Sequence, residues 1–216
     1  MPSANPLSRV SLSQQIRDQL LDRIVLGELT PGSRLVEMKI AAEFSTSQAP
    51  VREALRELEA IGVIETLPNK GARVRTITNE ELRQLYDVRA QLESYATQLA
   101  TEAGVPLKSR LKQAVKDMKR AARESDSTAF ASHNSGFHRI IVEASGNKIL
   151  LDMWETLNVQ TRTMTNVTRS RRNLMELADS HMAIIDAIAA GDPQLANQVA
   201  KVHVLSNRPE PIDSSQ

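Results

Sequence analysis

The chain has no cysteine, which removes disulfides, zinc fingers and thiol catalysis in one step. That suits a reducing cytoplasm. Aromatic residues make up 3% of the 216, so any core is aliphatic, as in helical proteins rich in Leu, Ala and Ile. No stretch reaches the roughly 18 uninterrupted apolar residues of a membrane span. The opening Met1-Pro2-Ser3-Ala4-Asn5-Pro6 lacks the charged-then-apolar order of a secretion signal and reads as part of a disordered arm over 1–10. Neither sign of charge dominates. Up to residue 78 ten Lys and Arg face nine Asp and Glu, and beyond it seventeen face seventeen. A nucleic-acid binder of this composition must place its basic residues rather than accumulate them. No glycine-rich phosphate loop, strand–helix alternation or internal repeat is evident. What remains is an ordinary globular composition, 41% hydrophobic and 25% charged, long enough for two modest domains.

The most informative stretch runs from Ser33 to Arg75. A short helical pattern ends at Phe44, and Ser45-Thr46-Ser47 follows as a turn. A second helix, Gln48 to Ile61, is stopped by Gly62. Val51, Leu55 and Leu58 give it an apolar stripe, while Gln48, Arg52 and Arg56 repeat every four residues on a polar face. Ser47 is placed to cap it by accepting a first-turn N–H, and Pro50 sits where a missing N–H is tolerated. Ile64–Leu67 and Ala72–Ile77 then read as a hairpin around Pro68-Asn69-Lys70-Gly71. Lys70, Arg73 and Arg75 can meet phosphates there, and Gly71 permits close backbone approach. A lone helix with a solvated charged face would be unremarkable. Helix, tight turn, helix and basic hairpin together predict a winged helix-turn-helix that reads a major groove with the N-terminal end of its second helix.

Gly27-Glu28-Leu29-Thr30-Pro31-Gly32-Ser33-Arg34-Leu35, then Ser47-Gln48-Ala49-Pro50-Val51-Arg52-Glu53-Ala54-Leu55, then Gly62 and Gly71, resemble the N-terminal domain of GntR-type bacterial transcription regulators. The resemblance covers residues 12 to 75. It implies DNA contacts from Ser47, Gln48, Ala49, Arg52, Arg56, Lys70, Gly71 and Arg73. Many relatives carry Arg-Thr where this chain has Gln48-Ala49. Arg commonly reads guanine and Gln adenine, so the operator is expected to differ there.

Within 11–78, the first helix is expected over Ser11–Leu26, burying Ile16, Leu20 and Ile24, with Gly27 ending it. The second is expected over Val36–Phe44. From Thr78-Asn79-Glu80-Glu81 onward every long segment reads helical. Leu82, Leu85, Val88, Leu92 and Ala96 form the stripe of Asn79–Glu102. Pro106–Glu124 is polar with a thin stripe and is expected on the outside. Ser127–Ala144, Lys148 to about Thr168, Asn173–Ala190 and Pro193–Ser206 follow. Six helices with short connections predict an antiparallel bundle over 79–207. A tail over 208–216 reads as disordered. The fold class is therefore mainly α, a winged helix-turn-helix plus a helical bundle.

The four histidines, His133, His138, His181 and His203, all lie after residue 130 on three predicted helices. Asn134 and His138 share a face at i, i+4, and His133 lies off it, expected exposed. Three helices can aim Asn134, His138, His181 and His203 at one interior point. Imidazole suits zinc, nickel, iron or manganese. From spacing alone, hydrogen-bonded core histidines account for the same pattern, because no motif as tight as His-Glu-x-x-His is present.

Val88-Arg89-Ala90-Gln91-Leu92-Glu93, Phe137-His138-Arg139, Ser145-Gly146-Asn147, His181 with Ala183-Ile184, and Ala189-Ala190-Gly191-Asp192 resemble the FCD effector domain of the FadR subfamily of these regulators. The resemblance implies a divalent metal (Zn, Ni or Mn) on His138, His181 and His203, with Asn134 standing where Asp is usual. It implies a pocket for a small carboxylate, with Arg89 and Arg162 as candidate partners of that carboxylate. An amide is a weaker, neutral donor, so the metal would be held less tightly and would keep more of its charge.

These readings converge on a cytoplasmic, nucleoid-associated transcription regulator that is not an enzyme. It is expected to repress, to bind double-stranded DNA at an inverted repeat as a homodimer, and to respond to a small organic acid. Two alternatives make different predictions. A constitutive DNA-binding dimer with a metal-free bundle would ignore every acid. A metal-dependent hydrolase would use the histidine site to activate water, but shows no evident general base and has no need of a winged helix.

Overall fold

The computed structural model describes residues 11–67, 70–157 and 172–210. The expected arm, the Pro68-Asn69 turn, Arg162, the second half of the Lys148–Thr168 helix and the last residues of the tail lie outside them. The chain divides into two compact units at Thr76 and Ile77.

The first unit opens with α1 (Leu12–Val25). Ser11 and Gln14 close a reciprocal capping box at its start. Then come β1 (Arg34–Leu35), α2 (Glu37–Glu43), α3 (Gln48–Ala60), β2 (Ile64–Leu67) and β3 (Gly71–Val74). The strands form one antiparallel sheet in the order β1-β3-β2. The expected hairpin is present, with Ile64 opposite Val74 and Leu67 opposite Gly71. It is shorter than expected, because β3 ends at Val74 and Ile77 packs with Leu82 and Leu85 in the second unit. It also gains an edge that the sequence did not announce, with Arg34 opposite Arg73 and Leu35 opposite Ala72. Two residues are too few for alternation to reveal. Ile16, Leu20, Val51, Ala54 and Leu58 are fully buried at the centre of the aliphatic core. Fully burying one such Ile or Leu contributes about 1.5–3 kcal/mol, so the α1–α3 contact fixes how α3 is presented.

The second unit begins at α4 (Asn79–Glu102). Thr78 caps it and forms a capping box with Glu81. It continues with α5 (Lys108–Arg123), α6 (Ser127–Ala144), α7 (Lys148–Thr156), α8 (Leu174–Ser180), α9 (Met182–Ala190) and α10 (Pro193–Ser206). The expected single helix over Asn173–Ala190 is thus two, broken at His181, which ends α8 and begins α9. At that break the His181 ring bonds back to the Leu177 carbonyl at 2.8 Å. α10 packs along α4, α6 against α4 and α5, and α8 against α5. α5 has the thin stripe expected of it, with Leu111 and Met118 fully buried.

Two further expectations are corrected. On α4 the buried face is not the Leu82–Val88–Leu92 stripe in full. Val88 is 46% exposed and Leu92 half-buried, while Arg89, Glu93 and Thr97 are buried in their place. Hydrophobicity alone misassigns this face because the polar residues satisfy one another. The tail is also tied down further than expected. Arg208 donates to Asp87 at 2.5 Å and Arg83 to the Pro209 carbonyl at 2.7 Å.

Candidate DNA-reading face and candidate metal centre

In the first unit, Ser47, Gln48, Ala49, Arg52, Arg56, Lys70 and Gly71 are all exposed, and Arg73 is half-buried. Ser47 occupies the N-cap position of α3 with extended backbone (φ −78°, ψ 167°), but its hydroxyl accepts no backbone N–H. The expected side-chain cap is therefore absent. An N-cap oxygen bonds the N–H of the second or third helical residue, and the third here is Pro50, which has none, so only that of Ala49 was available to Ser47. The hydroxyl is left facing solvent at the helix end.

Each arginine of this face is paired with a carboxylate. Arg52 bonds Glu37 at 3.2 Å, Arg73 bonds Glu65 at 2.7 Å, and Arg56 lies 3.6 Å from Glu53. The Arg52 and Arg56 side chains are 54% and 69% exposed. Such pairs contribute about 0–1 kcal/mol, so the carboxylates orient the guanidinium groups without committing them. A phosphate can take the same donors bidentately. Arg34 donates to the Lys70 carbonyl at 3.0 Å and so braces the hairpin turn, a role the sequence did not suggest. Gly71 follows at φ +77°, a left-handed conformation that suits glycine. Between α3 and the sheet runs a groove of about 500 Å³ lined by Arg34, Glu37, Arg52, Arg56 and Lys70 among others.

In the second unit the structure brings three of the four expected metal ligands together. One ring nitrogen each from His138 on α6, His181 at the α8–α9 break and His203 on α10 lie within 4.8 Å of one another. All three are buried, His181 to 1% exposure. The rings contact one another, with centroids 4.3 Å apart for His181 and His203. Asn134 sits half-buried one helical turn before His138. His133, expected exposed, is half-buried.

Each imidazole of the trio has its Nδ1 beside an acceptor. His138 Nδ1 lies 2.9 Å from Glu93 Oε2, His181 Nδ1 is 2.8 Å from the Leu177 carbonyl, and His203 Nδ1 is 3.4 Å from Ser180 Oγ. An acceptor at Nδ1 favours the tautomer whose lone pair is on Nε2. His181 Nε2 is buried and has no hydrogen-bond partner among the described residues. Leaving such an atom unmet costs about 1–3 kcal/mol. A divalent cation would meet it, so the donor set fits one. The charge state fits as well. Burial, together with the neighbouring imidazoles, pushes His181 well below its ordinary value and His203 down to about 3. Both are therefore neutral, the ligating form, at neutral pH.

Beside this cluster is a charged pair that the hydrophobic pattern concealed. Glu93 Oε1 accepts from Arg89 Nε and from Trp154 Nε1, each at 2.8 Å. Arg89 is 2% exposed and also lies 4.8 Å over the Tyr86 ring. Burial alone would raise the Glu93 carboxyl, but the Arg89 guanidinium and His138 outweigh it and hold the group well below the usual carboxylate range. Arg89, the expected effector anchor, is thus engaged with Glu93, and any effector carboxylate it held would share it. Glu93 and Trp154 were not singled out from the sequence. The i, i+4 spacing of Arg89 and Glu93 was the available signal.

Comparisons with known proteins cover both units. A family model described as "Bacterial regulatory proteins, gntR family" matches residues 12–74, and one described as the FCD domain matches residues 84–206. The "Probable D-xylose utilization operon transcriptional repressor" of Paenarthrobacter nicotinovorans is 35% identical over 209 residues, spanning 97% of this chain and 92% of that one. The gluconate operon transcriptional repressor of Bacillus licheniformis is 30% identical across 88% of this chain and 80% of its own. Among solved structures, a GntR transcriptional regulator from Rhodococcus sp. RHA1 superposes with a TM-score of 0.80 at 23% identity, covering 91% of this chain and 95% of its own, a likeness of fold alone.

Proposed function

The chain belongs to the GntR family of bacterial regulatory proteins and carries an FCD domain, and from that premise we propose a repressor whose hold on its operator is set by a small carboxylate in the FCD domain. As a family member it is a DNA-binding transcription regulator and not an enzyme. Repression is supported by the relatives, whose names call them repressors of sugar and sugar-acid operons. Its proposed site of action is the cytoplasm, where its DNA lies; separately, no described helix is long and apolar enough to cross a membrane.

The single observation that carries the effector half is the buried trio of His138, His181 and His203, with His181 Nε2 unpartnered. These residues would hold a divalent metal (Zn, Ni or Mn), with Asn134 adjacent. Such a metal would supply a positive point for a carboxylate oxygen. With neutral imidazoles and a neutral amide as donors, the site favours an anion over a neutral ligand. Arg89 is a second candidate partner of that anion. Arg162, outside the described residues, is another.

On the DNA, Ser47, Gln48, Ala49, Arg52 and Arg56 face the bases and flanking phosphates, and Lys70, Gly71 and Arg73 face the backbone. Reading an inverted repeat as a homodimer doubles the few base pairs one helix covers. The effector changes DNA affinity only by preferring one arrangement of the protein over another. Selection of sites from random DNA with the full chain, followed by mobility shifts on the selected site with a panel of small carboxylates, tests both halves. We expect one or more acids to change the affinity, and Gln48→Arg to change the selected bases. Affinity untouched by every acid would favour the constitutive DNA-binding dimer.

A further inference from the structure

Among the described residues, the candidate ligand cluster in the bundle is three imidazoles with no carboxylate as a member. Four neutral donors, counting Asn134, would have to hold a doubly charged ion in a dry interior. Yet a carboxylate does touch one of the three from behind. Glu93 lies on α4, reaches across to α6, and places Oε2 2.9 Å from His138 Nδ1. Among the described residues, that oxygen has no other polar partner.

The carboxylate is held in that direction. Trp154 on α7 and Arg89 one turn earlier on α4 both donate to its other oxygen, Oε1, at 2.8 Å. Thr97, which could compete for it, instead gives its hydroxyl to the Glu93 backbone carbonyl at 2.7 Å. Glu93 and Arg89 are each 2% exposed and His138 is 4% exposed. The crevice beside them, lined by Glu93, Thr97, His138, Ile141, Ile184 and Val204 among others, has no space for a water molecule.

We propose that Glu93 is a positioning residue of the histidine site, fixing the His138 tautomer and supplying through that ring the negative charge that its direct donors lack. The inference rests on the metal reading given above. A ring whose Nδ1–H points at a carboxylate presents its Nε2 lone pair in a fixed direction and is more basic there. Trp154 and Arg89 then act one step further out, by holding Glu93. An ordinary counter-ion for Arg89 would need neither the contact with His138 nor the third donor from Trp154.

The test uses the purified full chain and Zn2+ alone, titrated against a chromophoric chelator. Glu93→Gln keeps the shape and an acceptor but removes the charge. Because that variant leaves Arg89 buried without its anion, Arg89→Met/Glu93→Gln is made beside it and removes both charges together. Helix content by circular dichroism and the His138 tautomer by nitrogen-15 NMR of the metal-free protein accompany each titration. We expect wild type to carry the Nδ1–H tautomer at His138. We expect Zn2+ affinity to fall about 10–100-fold in the folded variants. Wild-type affinity in a folded variant would overturn the role of Glu93 and leave the metal reading standing. An Nε2–H tautomer in wild type would overturn it too. Failure of wild type itself to bind Zn2+ would overturn the metal reading, and this inference with it.

Discussion

Arginine and glutamate meet in both units, with opposite consequences. In the first, Arg52–Glu37 and Arg73–Glu65 sit at the surface, with arginine side chains 54% and 41% exposed. In the second, Arg89–Glu93 is 2% and 3% exposed and is braced by a tryptophan and a histidine. An exposed pair is nearly neutral in energy and can exchange its carboxylate for a phosphate. A buried one cannot be opened cheaply, since removing one partner strands a charge. On the proposed function, the same chemistry would serve as a loosely held DNA grip in one unit and as a rigid support for a ligand site in the other.

The sharpest way to break that comparison is to remove one arginine from each unit. Arg89→Met should destabilise the second unit by about 3–5 kcal/mol, read as a fall in the denaturant midpoint. Next in size is acid. His181 and His203 have folded values pushed down, so below pH 6.5 the unfolded chain binds protons that the folded chain does not. Stability is then full above about pH 6.5 and falls as pH drops toward about 3, by roughly 1.4 kcal/mol per pH unit for each fully mismatched histidine. Glu93, also held low, adds to the loss once its unfolded form protonates below its ordinary 4.5. Denaturation followed from pH 8 to 4 checks this, and a flat profile would mean that the histidines are not buried neutral.

Arg52→Ala should change the first unit's stability by less than about 0.5 kcal/mol. It should weaken operator binding by about 1–3 kcal/mol, measured by fluorescence anisotropy. The smallest effect sharpens a local point. Ser47→Ala should leave stability unchanged, against the ~1 kcal/mol usually lost with an N-cap hydroxyl, while still weakening DNA binding.

The two units also differ in how far the sequence revealed them. The winged helix was legible because α3 alternates its faces at helical spacing and because Gly62 and Gly71 punctuate the chain. What escaped was contact across the fold. The two-residue strand β1 has no periodicity to read, and the missing Ser47 cap has no signal in the residue types, because Ser before a helix ordinarily caps it. In the bundle, the trio of histidines was legible as a set, through resemblance more than spacing. The His181 break was not, because a helix interrupted by one residue keeps its apolar rhythm on both sides. Glu93 and Trp154 lie 61 positions apart, and only the packing of α4 against α7 brings them to one carboxylate. A buried Arg89–Glu93 pair looks on paper like a solvated i, i+4 pair. The sequence could not say which, because burial depends on the neighbours that cover α4.

The most direct test of the account is the metal content of the full-length protein purified without chelators, by elemental mass spectrometry, with His181→Ala alongside. About one divalent ion per chain in wild type, lost in His181→Ala, is the predicted result. A metal-free wild type that also takes up none when Zn2+ is added would contradict the claim that the buried histidines exist to hold an ion.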